Sequence, residues 1–316
     1  MAIGDGKSPA FKKLLEAGIQ VDMEALIHQS EPSKSLMPLF LEGLLGPLLG
    51  HRSGSRKGSG LDFAELNHYQ QGDDIRHVDW KLSSRKQSPY VRHFQEEKEQ
   101  RFELLVDQGA SMLFGSLADS KAVTAAKLAA QIGWQAIHQG DPCSCSVVSA
   151  SEVHWGRSSR SLQSWLHALS DLQKNNQNIN PRAEASDQLL SSSLEEMLNR
   201  RYRGRHVYII SDFMSLLVEE QKNRLTQQLE ALSQHNSLRL IYIFDELERS
   251  FPEAGFLPIS DGYHHAEINS SDSGLQLALQ RTFSQRLQFL SLIASSLLNI
   301  KLLPFDCALQ YRGELS

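Results

Sequence analysis

The chain has 316 residues, 41% of them hydrophobic, 22% charged and 8% aromatic, and a formal net charge of −5. That length buries a full core without disulfides or a structural metal. The acidic balance excludes a surface devoted as a whole to nucleic acid, so no nucleic-acid partner is expected.

Three cysteines, Cys143, Cys145 and Cys307, cannot build a disulfide framework and read as thiols of a reducing compartment. No secretory leader is legible near Met1. The most apolar early stretch, Leu36 to Gly50, contains Pro38, Glu42 and Pro47 and is only 15 residues long, where a membrane span needs about 20. The expectation is a cytoplasmic protein with no membrane span.

Phe11 to Ala17 and Val21 to Gln29 are candidate short helices. Leu36 to Leu49 is leucine-rich but broken by Gly and Pro, and residues 51–60 form a basic Gly/Ser loop without the Gly-Lys-Ser/Thr ending of a phosphate loop. Residues 61–100 are dense in charge and aromatics. Gly72-Asp73-Asp74 is turn chemistry, and Pro89 to Phe94 alternates as a strand does.

From residue 101 the pattern becomes regular. Phe102 to Asp107 reads as a buried strand. Lys121 to Gln139 reads as a helix, with Ala122, Ala125, Ala126, Ala129 and Ile132 at helical spacing. Cys143 to Ala150 is a second strand, with Val153 to Trp155 as its hairpin partner. Leu162, Trp165, Leu166 and Leu169 share a helix face, and the Asn-rich stretch Gln173 to Ala185 reads as a loop. A helix follows the cap candidates Ser186 and Asp187. Then come a strand at Arg205 to Ser211, a helix at Leu216 to Gln234, a strand at Leu238 to Phe244, a helix at Gly274 to Leu298 and a strand at Lys301 to Phe305. Alternation of this kind predicts an α/β fold, a mostly parallel sheet with helices on both faces. The division expected is an N-terminal extension over 1–100 and an α/β domain over 101–316.

Asp107, Asp212 and Asp245 each follow an apolar strand. The carboxyl ends of such strands line one edge, and ligands bind there where the strand order reverses. If the first two strands are neighbours across that point, Asp107 and Asp212 share a crevice. Close carboxylates repel, so one must protonate or a cation must join them. With Ser111 four residues after Asp107, Mg²⁺ is one answer. Capping of the next turn is the other reading of each aspartate.

Two resemblances add to this. Asp107-Gln108-Gly109-Ala110-Ser111, with Asp212 after a later strand, resembles the metal-ion-dependent adhesion site of von Willebrand factor A domains. Gly109 stands where that pattern has a hydroxyl, and no Thr stands in the second loop, where Ser158, Ser159 or Ser161 is the available substitute. The resemblance implies Asp107, Ser111 and Asp212 as Mg²⁺ ligands at a site weakened or lost. Gly58 to Leu66, Tyr69, Gly72 to Trp80, Ser84-Arg85 and Val91 to Phe94 are similar to the signature of domain-of-unknown-function family 58. Ile210 to Phe213 and Phe244 to Glu248 fit it too, over about residues 45–305. Asn67, Gln71 and Gln87-Ser88 depart from it. That resemblance implies a von Willebrand A-like fold and no assigned catalytic activity. It also implies a MoxR-type AAA+ ATPase as partner, in assembling or activating a client protein.

Asp73, Asp74, Arg76, Asp79, Lys81, Arg85 and Arg92 alternate in sign around Trp80. They read as a salt-bridged clamp, as a partner-docking surface, or, with His77, as a hydrolytic metal centre. Cys143 and Cys145 read as core thiols. Two functions stay open, a non-enzymatic interaction module and a metal-dependent hydrolase using strand-end or cluster aspartates.

Overall fold

Five apolar runs that alternate with helices form one sheet, whose central strands are buried on both faces and must be covered on both. The computed structural model describes residues 18, 20–30, 57–58, 62–71, 73–95, 99–116, 119–180, 187–250, 255–260 and 265–307. The candidate helix at Phe11 to Ala17, the leucine-rich stretch and most of the basic loop lie outside the described residues.

The chain divides into two compact units, Met1–Leu45 with Gln100–Ser316, and Gly46–Glu99. In the larger unit, strands β4 (Arg101–Asp107), β5 (Cys143–Val148), β6 (Val153–His154), β7 (Arg205–Ser211), β8 (Ser237–Phe244) and β11 (Ile300–Asp306) form a sheet of order β11-β8-β7-β4-β5-β6. All neighbours pair in parallel except β6, which runs antiparallel to β5 at the edge. The chain leaves β4 to build one side through β5, then returns to build the other through β7. The order reverses between β4 and β7, so the strands ending at Asp107 and Asp212 are neighbours, as the sequence argument required.

Helices cover both faces. Side chains alternate along each strand. Leu105, Val207, Ile209, Leu240 and Tyr242 therefore join α5 (Asp187–Asn199), α6 (Glu219–Ser233) and α8 (Ser273–Ser296) in one core. Helices α3 (Lys121–His138) and α4 (Leu162–Gln177) take the other face. At their crossing a Cβ on Gly133 would lie 2.0 Å from the Trp165 ring, so only glycine allows this approach.

Two expectations need correction. Helix α4 runs into the expected loop Gln173 to Ala185 as far as Gln177, because Leu172 and Asn176 lie on its buried face, while residues 181–185 lie outside the described residues. Asn176 Nδ2 donates to Gln108 Oε1 at 2.8 Å, and its Oδ1 accepts from Val21 N at 2.7 Å. Composition suggested a loop, but the amide is used inside. Residues Leu216 and Leu217 belong to a 3-10 turn, Met214–Leu217, and α6 starts only at Glu219.

Where a division at residue 100 was expected, the larger unit also takes in helix α1 (Met23–His28). Leu26 is fully buried, and its carbonyl accepts from Trp134 Nε1 at 2.9 Å. After α7 (Glu246–Arg249), strands β9 (Phe256–Ser260) and β10 (His265–Asn269) form an antiparallel hairpin.

The smaller unit contains a three-stranded antiparallel sheet of order β1-β3-β2, from β1 (Lys57–Gly58), β2 (Asp62–His68) and β3 (Tyr90–Gln95), with helix α2 (Trp80–Lys86).

Candidate functional site at the carboxyl edge of the sheet

Because β4 and β7 are adjacent, their ends deliver Asp107, Ser111, Ser211 and Asp212 to one crevice. Its rim adds Gly109, Ala110, Met214, Ser215 and, from the loop after β5, Ser149 and Ala150. The crevice has a volume of about 40 Å³, room for a water or two. The serines expected to stand in for a second-loop Thr are elsewhere. Ser159 bridges to Cys143 at the amino end of β5, so Ser158, Ser159 and Ser161 lie at the opposite edge from Val148.

Each carboxylate is fully engaged by the chain itself. Asp107 Oδ1 accepts from Gly109 N at 2.9 Å and Oδ2 from Ser211 Oγ at 2.6 Å. Asp212 Oδ1 accepts from Ser111 Oγ and from Met214 N, both at 3.2 Å. Asp212 Oδ2 accepts from Lys121 Nζ at 2.7 Å. The following residue, Phe213, holds φ at 51°, a left-handed backbone that a bulky side chain rarely adopts. Its N–H donates to Ser211 Oγ at 2.9 Å and its ring is buried edge-on to Tyr242, which locks the turn.

Sequence reasoning did not find Lys121. It is the first residue of α3, after the cap Ser120, and is 1% exposed. Its ammonium also meets Glu248 Oε1 at 3.3 Å. Arg286 of α8, 2% exposed, donates to that same Oε1 at 3.2 Å and to the Asp212 carbonyl at 2.9 Å. A signal existed for both. A cation in a first helical turn opposes the helix dipole, and Arg286 falls on the core stripe of α8 with Phe283, Leu290 and Ile293.

The two aspartates differ in their charge environment. Burial, and then the neighbouring Asp212 charge, push Asp107 up to about 6. Burial opposes ionisation of Asp212 as well, but Lys121 and Arg286 outweigh it and hold Asp212 below the ordinary carboxylate value. Burial likewise works against the Lys121 ammonium, and Asp212 and Glu248 overcome it, leaving it raised.

As arranged, these groups do not fit a Mg²⁺ ion. Mg²⁺ asks for near-octahedral oxygen ligands. Here position 109 supplies no hydroxyl, both serine hydroxyls donate to carboxylates, and a protein cation already sits on Asp212. Among the described residues, no group of three or more His, Cys, Asp or Glu side chains is placed to hold a metal. The hydrolytic centre weighed for Asp73, Asp74, His77 and Asp79 is therefore not assembled.

Those aspartates hold local structure. Asp73 Oδ2 accepts from Gln70 N, Asp74 Oδ1 from Arg76 N, and Asp79 Oδ1 from Leu82 N as the cap of α2. Arg76, Trp80 and Arg85 are exposed. Asp245 is also a cap, in a reciprocal capping box with Glu248, and it accepts from Ser116 N and Oγ. Cys143, Cys145 and Cys307 are buried, free thiols; burial pushes Cys145 and Cys307 up to about 12 and Cys143 well above its ordinary value.

Next to the crevice, and sharing Ser149 and Ala150 with it, is a second cleft of about 610 Å³. Its walls include Gln108, Glu152, Trp155, Asp171, Lys174, Asn175 and Asn178. Among the described residues, no helix is long and apolar enough to cross a membrane.

Comparison with known proteins adds the following. The family model described as "Protein of unknown function DUF58" matches residues 65–285. Uncharacterized protein Mb1516 of Mycobacterium bovis and Uncharacterized protein Rv1480 of Mycobacterium tuberculosis are each 26% identical over 221 residues. That match covers 68% of this chain and 65% of each relative, so the chain spans about 65% of the length of the curated relatives it matches. Among solved structures, the conserved hypothetical protein BatB from Bacteroides thetaiotaomicron is similar at a TM-score of 0.36 and 11% identity, over 68% of this chain and 95% of that one. A von Willebrand factor type A protein from Catenulispora acidiphila is similar at 0.32 and 10% identity, over 49% of this chain and 35% of that one.

Proposed function

The chain belongs to the DUF58 family, a family of unknown function, and on that premise we propose that it is a non-enzymatic docking module that binds a partner protein at the carboxyl edge of its main sheet. One observation carries the reading. The crevice at the switch point is closed on itself, with every carboxylate oxygen paired inside the chain and about 40 Å³ of space, room for a water or two. Ser211, whose hydroxyl donates to Asp107, is 1% exposed and out of a substrate's reach.

What remains accessible is the rim and the adjoining polar cleft of about 610 Å³. The cleft's amide side chains suit the backbone of an extended segment, since each offers a donor and an acceptor. The family resemblance supports a MoxR-type AAA+ ATPase as the partner, with this chain as its adaptor toward a client protein. A cytoplasmic setting follows from that pairing.

The test is a hydrogen-exchange footprint of the full chain with the purified ATPase of the same cell. The expected result is protection confined to the loops at 108–112, 149–152 and 213–216 and to the end of α4. Protection elsewhere, or no complex, overturns the reading.

A further inference from the structure

The crevice poses a charge problem that the sequence assigned to a metal ion. Asp107 and Asp212 end neighbouring strands, and Glu248 comes in from the next strand end. Buried carboxylates at the edge of a sheet need cations, and ionised groups out of water persist only when paired. We propose that Lys121 is the resident cation of this site, permanently taking the place that a divalent ion holds in related adhesion sites. This proposal rests on the docking reading above only for its consequence, that partner binding needs no metal.

The geometry is specific. Lys121 Nζ lies 2.7 Å from Asp212 and 3.3 Å from Glu248, in surroundings where its side chain is 2% exposed and that of Asp212 is 1% exposed. Arg286 closes the other side of Glu248 at 3.2 Å. Lys121 and Arg286 balance Asp212 and Glu248, while the donors to Asp107 are a backbone N–H and a serine hydroxyl. The Lys121 ammonium stands 5.8 Å from the Phe114 ring centre, a further favourable contact for a cation.

A tethered cation has a consequence that a free ion lacks. It is held inside the chain, with its side chain 2% exposed, so it cannot bridge to a carboxylate of the partner. Recognition then falls to the rim and the polar cleft. The Gly109 position fits the same account. A Cβ there would come within 3.1 Å of Asp107 Oδ1, and with no ion to bind, no hydroxyl is required.

Mn²⁺ titration of the full chain, followed by calorimetry and by the paramagnetic signal of bound ion, tests this. The wild type is expected to bind no ion at millimolar Mn²⁺. Lys121→Met is expected to lose stability in EDTA and to recover it with Mn²⁺, with a saturable site. If Lys121→Met does not fold, Lys121→Met/Asp212→Asn is expected to fold, because the buried charge goes with its partner. Stoichiometric Mn²⁺ binding by the wild type overturns the proposal. A Lys121→Met variant as stable as the wild type without ion, or a double variant no better than the single, also overturns it. Wild-type ion binding combined with the predicted docking footprint would remove this proposal and leave the docking reading standing. A silent titration with no partner complex would do the reverse.

Discussion

Asp107 and Asp212 are one strand apart, yet their replacement by Asn should change stability in opposite directions. Burial and the Asp212 charge push Asp107 up to about 6, against an ordinary value of 3.8. Raised that far, the carboxyl costs about 3 kcal/mol in its ionised form at neutral pH. Asp107 is partly open to the crevice, and water there reduces the cost to about 1–2 kcal/mol. Asp107→Asn removes the charge and keeps an acceptor, so its melting temperature at pH 7.5 should rise by about 2–6 °C. Asp212→Asn takes away the Lys121 counter-charge in a dry site and should cost about 2–4 kcal/mol.

The pH dependence follows from the direction of the shift. Asp107 is raised in the folded state, so its contribution is fully present below about pH 4 and is lost as pH rises through about 6. The wild type should therefore close the gap to Asp107→Asn as the buffer goes from pH 7.5 to 5. Calorimetry of both proteins across that range is the assay. If Asp107→Asn melts at or below the wild type at pH 7.5, or if the gap does not change with pH, the charge argument for this crevice is wrong.

Other expectations rest on separate contacts. Gly133→Ala should cost about 1–3 kcal/mol in chemical denaturation, because the added Cβ meets the Trp165 ring at 2.0 Å. Asn176→Leu leaves Gln108 Oε1 and the Val21 N–H without these partners and should cost about 2–3 kcal/mol, with early exchange of the Val21 amide. Gly109→Ser should give no Mn²⁺ site while Lys121 is present, measured by calorimetric titration, and should tighten the site in the Lys121→Met background.

The framework of the larger unit was legible because its strands are buried on both faces. Runs such as Val207 to Ile210 and Leu238 to Phe244 are short, apolar and rich in β-branched and aromatic residues, as buried strands are, and the aspartates that follow them mark the sheet edge. Adjacency of β4 and β7 was a condition in the sequence argument, and the topology meets it. What failed were places where side chains are used against type. The Asn-rich end of α4 looks like a loop because its amide partners, Gln108 and Val21, are 68 and 155 residues away. Strand β2, Asp-Phe-Ala-Glu-Leu-Asn-His, carries too much polarity to stand out as a strand.

The site was half legible. Its carboxylates were visible because they end strands. Its cations were not, because Lys121 reaches Asp212 across 91 residues and Glu248 across 127. A sequence shows an excess of negative charge at an edge without showing what neutralises it. The inference of a metal came from that gap.

The central claim is that this edge is a docking surface, and the affinity of the full chain for the purified MoxR-type ATPase tests it most directly. Ala150→Arg places a bulky cation where the crevice and the large cleft meet, without touching the core. At constant Mg²⁺, the account predicts at least a tenfold weaker complex, about 1.4 kcal/mol, with an unchanged melting temperature. Equal affinity of Ala150→Arg and wild type would contradict it.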